Sequence, residues 1–308
     1  MDSSAGQPPS GAVISLIYKT ITGSSDSFAR SSVYNLETGA FELRNVPSGE
    51  YILQAVVTQV SMSPGGVGIL FESDSGRTPL AVTNSDVSGV VVTTSRGISI
   101  NGKITVEGLT QTPDPGRLLL RLQPSIGGIL SGDLNTLAPA AADGTFHIDG
   151  VASGEYRFDM AGMPANYYIK EIRYGGREAL NNPMIIAGSS TDTLEVVLSP
   201  RVANIEGTVT DGNQQAVQGI QAVLVPDQHR DRYELFRAVT TDQNGHFRMG
   251  GLPPGDYRIF AWESIEPFGF FDPDLLKRDE SRGQQLSIRE SDNTIVNVKM
   301  IPSGLPVR

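Results

Sequence analysis

The chain repeats one short phrase three times. "GAFELRNVPSGEY" runs from Gly39, "GTFHIDGVASGEY" from Gly144 and "GHFRMGGLPPGDY" from Gly245. Each copy opens with a Gly-x-Phe pair: Gly39 and Phe41, Gly144 and Phe146, Gly245 and Phe247. A second glycine follows 8 positions after the phenylalanine, at Gly49, Gly154 and Gly255. A tyrosine comes two positions later, at Tyr51, Tyr156 and Tyr257. The copies lie 105 and then 101 residues apart. Solenoid repeats are far shorter, about 20–50 residues, so each unit here is long enough to hold a core of its own. A length of 308 residues fits this, at roughly 100–150 residues per domain. The spacing predicts three domains, at 1–95, 96–200 and 201–308.

Turn and strand chemistry explain why these residue types recur. "ADGTF" and "DQNGHF" are hairpin sequences in which glycine supplies a positive φ. The phenylalanine then opens an alternating strand. Phe41 and Leu43 face inward with Glu42 outward, Phe146 and Ile148 with His147 outward, and Phe247 and Met249 with Arg248 outward. After the next turn, Tyr51, Leu53 and Ala55 point inward, as do Tyr156, Phe158 and Met160, and Tyr257, Ile259 and Ala261. A tyrosine at such a corner can bury its ring and bond its hydroxyl to nearby backbone.

The remaining segments follow the same plan. "ISINGKITVEG" and "ANIEGTVTDG" open the second and third domains, "RLLLRLQP" and "IQAVLVP" follow, and "LEVVLSP" and "IVNVKMI" close them. Glycine, proline and turn residues are plentiful, which favours short strands over helices. One helix is predicted, with Asp272 as N-cap, Pro273 at its first position and Gly283 as its stop. The fold class is therefore all-β: three tandem Greek-key β-sandwiches of about seven strands, with one short helix in the third. "SPR" at 199–201 leaves almost no linker before the third domain.

The pattern G-x-F…(V/L)-P-x-G-x-Y resembles the carboxypeptidase regulatory-like domain, a prealbumin-like (transthyretin-like), carbohydrate-binding-like sandwich. The third domain fits best, through "IEGTVTDGNQQAVQGIQAVLVP" and "TDQNGHFRMGGLPPGDYRIFAWE". The second fits through "ADGTFHIDGVASGEY", with Ala152 at the usual proline position, and the first from Gly11 onward. The resemblance implies a bacterial multi-domain protein, extracytoplasmic (periplasmic, cell-surface or secreted). It implies a non-catalytic spacer or interaction module, because such domains accompany enzymes, receptors and adhesins without catalysing anything.

Residue chemistry points the same way. There is no cysteine, which excludes disulfides and thiolate chemistry. The net charge of −10 is spread along the chain without a basic stripe, so no nucleic-acid partner is expected. No run is long enough to span a membrane, so no membrane insertion is expected. His147 and His246 occupy slots that hold unrelated residues in the sister copies, and His229 lies in a charged loop. "GVASG" is the repeat's own turn rather than a nucleophile elbow. "TDQNGH" offers Asp242 and Asn244 in the manner of a calcium loop, but His246 and Phe247 then stand where a ligand and a glycine are needed. No enzyme activity, metal or cofactor is expected.

The most unusual stretch is "FAWESIEPFGFF", which gathers Phe260, Trp262, Phe268, Phe270 and Phe271 into twelve positions. Phe260 and Trp262 fall on the strand face opposite Tyr257 and Ile259, where partial exposure is expected. One reading is a stacking platform for a sugar ring or a partner's apolar surface, and hence a glycan or protein partner. The plainer reading is a loop and helix folded over that side of the sandwich. "NYYIKEIRYGG" occupies the same relative place in the second domain. Finally, the first-strand glycine (Gly102, Gly207) precedes Gly144 by 42 positions and Gly245 by 38. Counting back equally from Gly39 reaches the start of the chain or just before it, so the first domain is expected to lack its first strand. That leaves a sheet edge open to self-association or to an added strand.

Overall fold

The computed structural model describes residues 12–18, 33–62, 69–109, 117–124, 137–187 and 191–303. The expectation of a missing first strand concerns residues 1–11, which lie outside the described residues.

The chain divides into two compact units. One comprises 1–105, 109–162 and 171–196, the other 106–108, 163–170 and 197–308. The first unit begins with β1 (Val13–Tyr18), β2 (Val33–Tyr34), β3 (Phe41–Glu42), β4 (Gly49–Met62), β5 (Ile69–Val82) and β6 (Ser95–Arg96). These form a sheet in the order β1-β4-β5-β6 and a small β2-β3 pair. The pairing of β4 with β5 runs unbroken from Gly49 opposite Val82 to Met62 opposite Ile69. At 14 residues each, these two strands exceed the short strands expected from composition.

The middle of the chain forms β7 (Ile98–Val106), β8 (Leu119–Pro124), β9 (Leu137–Pro139), β10 (Thr145–Val151), β11 (Gly154–Ala161), β12 (Tyr168–Tyr174), β13 (Arg177–Glu178), β14 (Met184–Ile186) and β15 (Leu194–Ser199). They make two sheets, β10-β7-β15-β12-β13 and β14-β11-β8-β9. Alternation is plain in β7, where Ile100, Ile104 and Val106 are buried between exposed neighbours. Phe158 and Met160 are only half-buried, less than expected, although Phe158 keeps its ring 6.5 Å from that of Phe146.

The last part forms β16 (Ala203–Thr210), β17 (Gln221–Pro226), β18 (Arg237–Thr240), β19 (His246–Leu252), β20 (Gly255–Trp262), the helix α1 (Pro273–Asp279), β21 (Gln284–Ile288) and β22 (Asn293–Lys299). The sheets are β19-β16-β22 and β18-β17-β20-β21. Ile205, Val209, Phe247, Met249, Val296 and Val298 of one sheet share a core with Ala222, Leu224, Tyr257, Ile259 and Ala261 of the other. That is a β-sandwich, seven strands and one short α-helix, as the sequence leads one to expect.

The repeat signature maps onto this geometry. Gly39, Gly144 and Gly245 all have positive φ, between 69° and 81°. Glycine is favoured there because a Cβ is strained in that region. Tyr51, Tyr156 and Tyr257 are buried in all three copies. The Tyr51 hydroxyl donates to Pro47 O at 2.9 Å and the Tyr257 hydroxyl to Pro253 O at 3.1 Å. In the second copy, where Ala152 replaces proline, the Tyr156 ring lies beneath the Arg77 guanidinium, 5.8 Å from its carbon. Gly207 is required for another reason. A Cβ there would stand 2.3 Å from Val296 O and 2.5 Å from the Phe247 ring.

Candidate functional site

The aromatic stretch lies within the second unit. β20 alternates through Tyr257 and Ile259, then loses alternation: Ile259, Phe260, Ala261 and Trp262 are all buried. Phe260 is 1% exposed and Trp262 4%, which corrects the expected partial exposure. The cause is a second apolar cluster on the outer face of the sheet. Phe260, Trp262 and Phe270 pack there with Val223, Val225, Phe236, Leu276 and Ile301, and Phe271 rests against the cluster. The Phe260 and Trp262 rings stack face to face, with centroids 4.8 Å apart and an 8° interplanar angle. Only Phe268 stands out, 73% exposed, at a left-handed φ of 63°.

Helix α1 is the lid of this cluster. Asp272 caps it by accepting from Asp274 N at 2.9 Å, and Pro273 follows at the first helical position. A turn of 3₁₀ helix, 280–282, carries the chain to Gly283. Gly283 does end the helical run, but at φ −76°, so no left-handed cap is involved. A Cβ at Gly283 would stand 2.5 Å from the Phe260 ring. Asp279, 3% exposed, accepts from Trp262 Nε1 at 2.9 Å and from Arg278 Nη2 at 3.1 Å. Burial pushes its carboxyl pKa up, but the bonds from Arg278 and Trp262 and the charges of Arg278 and Arg282 outweigh burial and hold it below the ordinary value. The five rings are thus not arranged as a common exposed surface, and a sugar-stacking platform finds no support in the geometry.

A charged cluster that the sequence does not reveal lies in the same unit. Lys170 Nζ donates to Glu107 Oε1 and to Glu290 Oε1, each at 2.8 Å. The Tyr168 hydroxyl donates to Glu290 at 2.9 Å, Arg201 Nη1 to Glu290 at 3.0 Å, and the Ser199 hydroxyl to Glu107 at 2.8 Å. Glu290 is held at about 2 by the Lys170, Tyr168 and Arg201 bonds. The Lys170 and Ser199 bonds lower Glu107, and bonds from both glutamates raise Lys170. The six residues come from four distant stretches, so no local motif marks them. Tyr168, in "NYYIKEIRYGG", is the one aromatic here and is buried.

The other candidates have structural partners. Asp242 Oδ1 accepts from Asn244 N and His246 N, both at 2.8 Å, which closes the hairpin in the place of a calcium ligand. His147 and His246 are exposed. Among the described residues no three His, Cys, Asp or Glu side chains gather as a metal site, and no helix is long and apolar enough to cross a membrane.

Residues 204–265 match the family model of the carboxypeptidase regulatory-like domain. Serine-aspartate repeat-containing protein D of Staphylococcus aureus (strain Newman) is 24% identical over 139 residues, which is 42% of this chain and 10% of that protein. The match therefore spans a tenth of the relative's length. Among solved structures, a streptococcal ancillary pilin aligns over 96% of this chain and 94% of its own, at 13% identity and a TM-score of 0.30. The minor pilin of Streptococcus agalactiae aligns over 68% of this chain and 100% of its own, at 16% identity and a TM-score of 0.30. Over residues 204–265 the chain is thus similar to the carboxypeptidase regulatory-like domain.

Proposed function

We propose that the chain is a non-catalytic structural module, a spacer or interaction segment of a bacterial extracytoplasmic protein, built from three successive sandwiches at 1–95, 96–200 and 201–308. The observation that carries this reading is the segment between β15 and β16. Only residues 200–202 separate Ser199 from Ala203, and both end residues are fully buried. Arg201 is held at both ends: its side chain bonds Glu290, and its carbonyl accepts from Ser291 N at 3.1 Å. A short connection fixed by a charge network suits a spacer that keeps its length, and differs from the polar, contact-poor linkers that permit domain motion. The family match and the serine-aspartate repeat relative support a modular role.

The test is limited proteolysis of the full chain at neutral pH, with fragments identified by mass. A spacer of this kind resists cutting at 199–203 while exposed loops are cleaved. Rapid cleavage there contradicts the reading, and so does turnover of any substrate in a panel of glycosides and peptides.

A further inference from the structure

The last sandwich has β19 and β22 at the edges of one sheet, and β18 and β21 at the edges of the other. Proteins blunt such edges with short strands, bulges, charges or proline, because an edge presents a row of unpaired backbone groups. β18 and β21 are short, at four and five residues. β19 shifts register against β16 between Ile205 and Ala203, and it carries Arg248. β22 uses none of these devices. It runs for seven residues, "NTIVNVK", in unbroken parallel register with β16, and has no proline, glycine or charge before Lys299. Among the described residues, β16 lies on one side of it and no strand on the other.

The sister copy shows how such an edge is covered within one chain. β15 closes the second copy as β22 closes the third, and β12 lies against it. Gly175 N, just after β12, donates to Thr193 O, just before β15, at 3.1 Å. β12 comes from "NYYIKEIRYGG". The stretch in the same relative place in the third copy, with Phe270 and Phe271, packs with α1 over the outer face of the other sheet instead.

Pairing with β16 also sorts the backbone of β22. Asp292 O accepts from Asn204 N, and Met300 N donates to Thr210 O, both at 2.8 Å. Peptide groups alternate in direction along a strand. Positions 292, 294, 296, 298 and 300 therefore turn theirs toward β16, and 293, 295, 297 and 299 turn theirs toward the open side. The side chains of Asn293, Ile295, Asn297 and Lys299 are exposed, while Val296 and Val298 are in the core. Ile295 is 83% exposed, the most exposed large apolar residue among those described.

We propose that β22 is a dimerisation edge, at which two copies of this chain pair antiparallel about a two-fold axis through Ile295. The argument for a second copy is self-complementarity, which a two-fold interface requires. In this register Ile295 faces its own copy, Asn293 faces Asn297 on either side, and Lys299 falls opposite Ser291, so no like charges meet. The outward N–H and C=O groups of 293, 295 and 297 meet as hydrogen-bonded pairs. An axis through Val296 would instead set each isoleucine against an asparagine amide.

The test is sedimentation of the full chain at neutral pH from micromolar to millimolar concentration, with amide hydrogen exchange along the same series. The expected mass rises from one chain toward two, and exchange at 293, 295 and 297 slows as it rises. Ile295→Lys and Ile295→Glu each set like charges face to face across the axis and should weaken the dimer about tenfold or more. An equal mixture of the two variants should restore it, because lysine then faces glutamate. The exchange series on the unsubstituted chain tests the edge without any substitution. A mass of one chain throughout overturns the proposal. So does a dimer that Ile295→Lys leaves intact, a mixture that restores nothing, or protection gained only outside β22.

Discussion

Tyr257 shows how a single side chain joins sequence to stability. Its ring is 2% exposed and its hydroxyl has one backbone partner. Tyr257→Phe removes only that bond and should cost about 0.5–1.5 kcal/mol. Tyr257→Ala removes the ring and should cost about 3–5 kcal/mol; denaturant unfolding of the two variants checks both. Burial pushes the phenol from 10.0 to about 12. A raised value means that the unfolded chain ionises first, so stability is intact below pH 10 and declines from about pH 10 to 12. Tyr257→Phe should lose that part of the alkaline decline while keeping the neutral-pH fold. Glu290 has the opposite sign. Its carboxyl is held at about 2 against an ordinary 4.5, so its contribution is present above pH 4.5 and disappears as pH falls toward 2. Glu290→Gln should flatten that part of the acid branch of a thermal-stability profile. The tyrosine corner was legible because three copies repeat it at fixed spacing. The Glu290 cluster was not, because its members are brought together only by the fold.

At the scale of elements, β20 and α1 show what a sequence signal can and cannot carry. Alternation located the inward face of β20 correctly, yet its last four residues, "IFAW", are continuously apolar. So is "AVLV" in β17, which pairs with it and is likewise buried on both faces. Continuous apolar runs are the mark of two-sided burial, and that signal outweighs the inference that a face opposite the core must be wet. Placement of α1 over the outer face depends on contacts such as Trp262 with Asp279, separated by 17 positions and marked by no motif. The helix itself was legible from its cap and proline. Asp272→Ala should cost about 1 kcal/mol, the usual value of a lost N-cap, and should loosen the packing around Phe260 and Trp262. Near-ultraviolet circular dichroism of that variant, dominated by the single tryptophan, reports the loosening directly. An unchanged signal with unchanged stability would mean that the lid does not depend on the cap.

For the whole molecule, the repeat spacing predicted the sandwich class and the location of each turn, because the signature encodes local turn chemistry and strand alternation. It did not predict the grouping of the chain into two compact units. Stretches 106–108, 163–170 and 197–202 belong with the last sandwich, and the Glu107, Tyr168, Lys170 and Arg201 contacts with Glu290 and Ser199 explain the grouping. The proposed spacer role requires the connection between β15 and β16 to be a fixed structural element rather than a hinge. Amide hydrogen exchange across residues 198–205 of the full chain at neutral pH tests it most directly. Arg201 and Val202 should exchange nearly as slowly as the strands on either side, and Glu290→Gln should speed them. Exchange at the rate of an open loop, unaffected by Glu290→Gln, would contradict it.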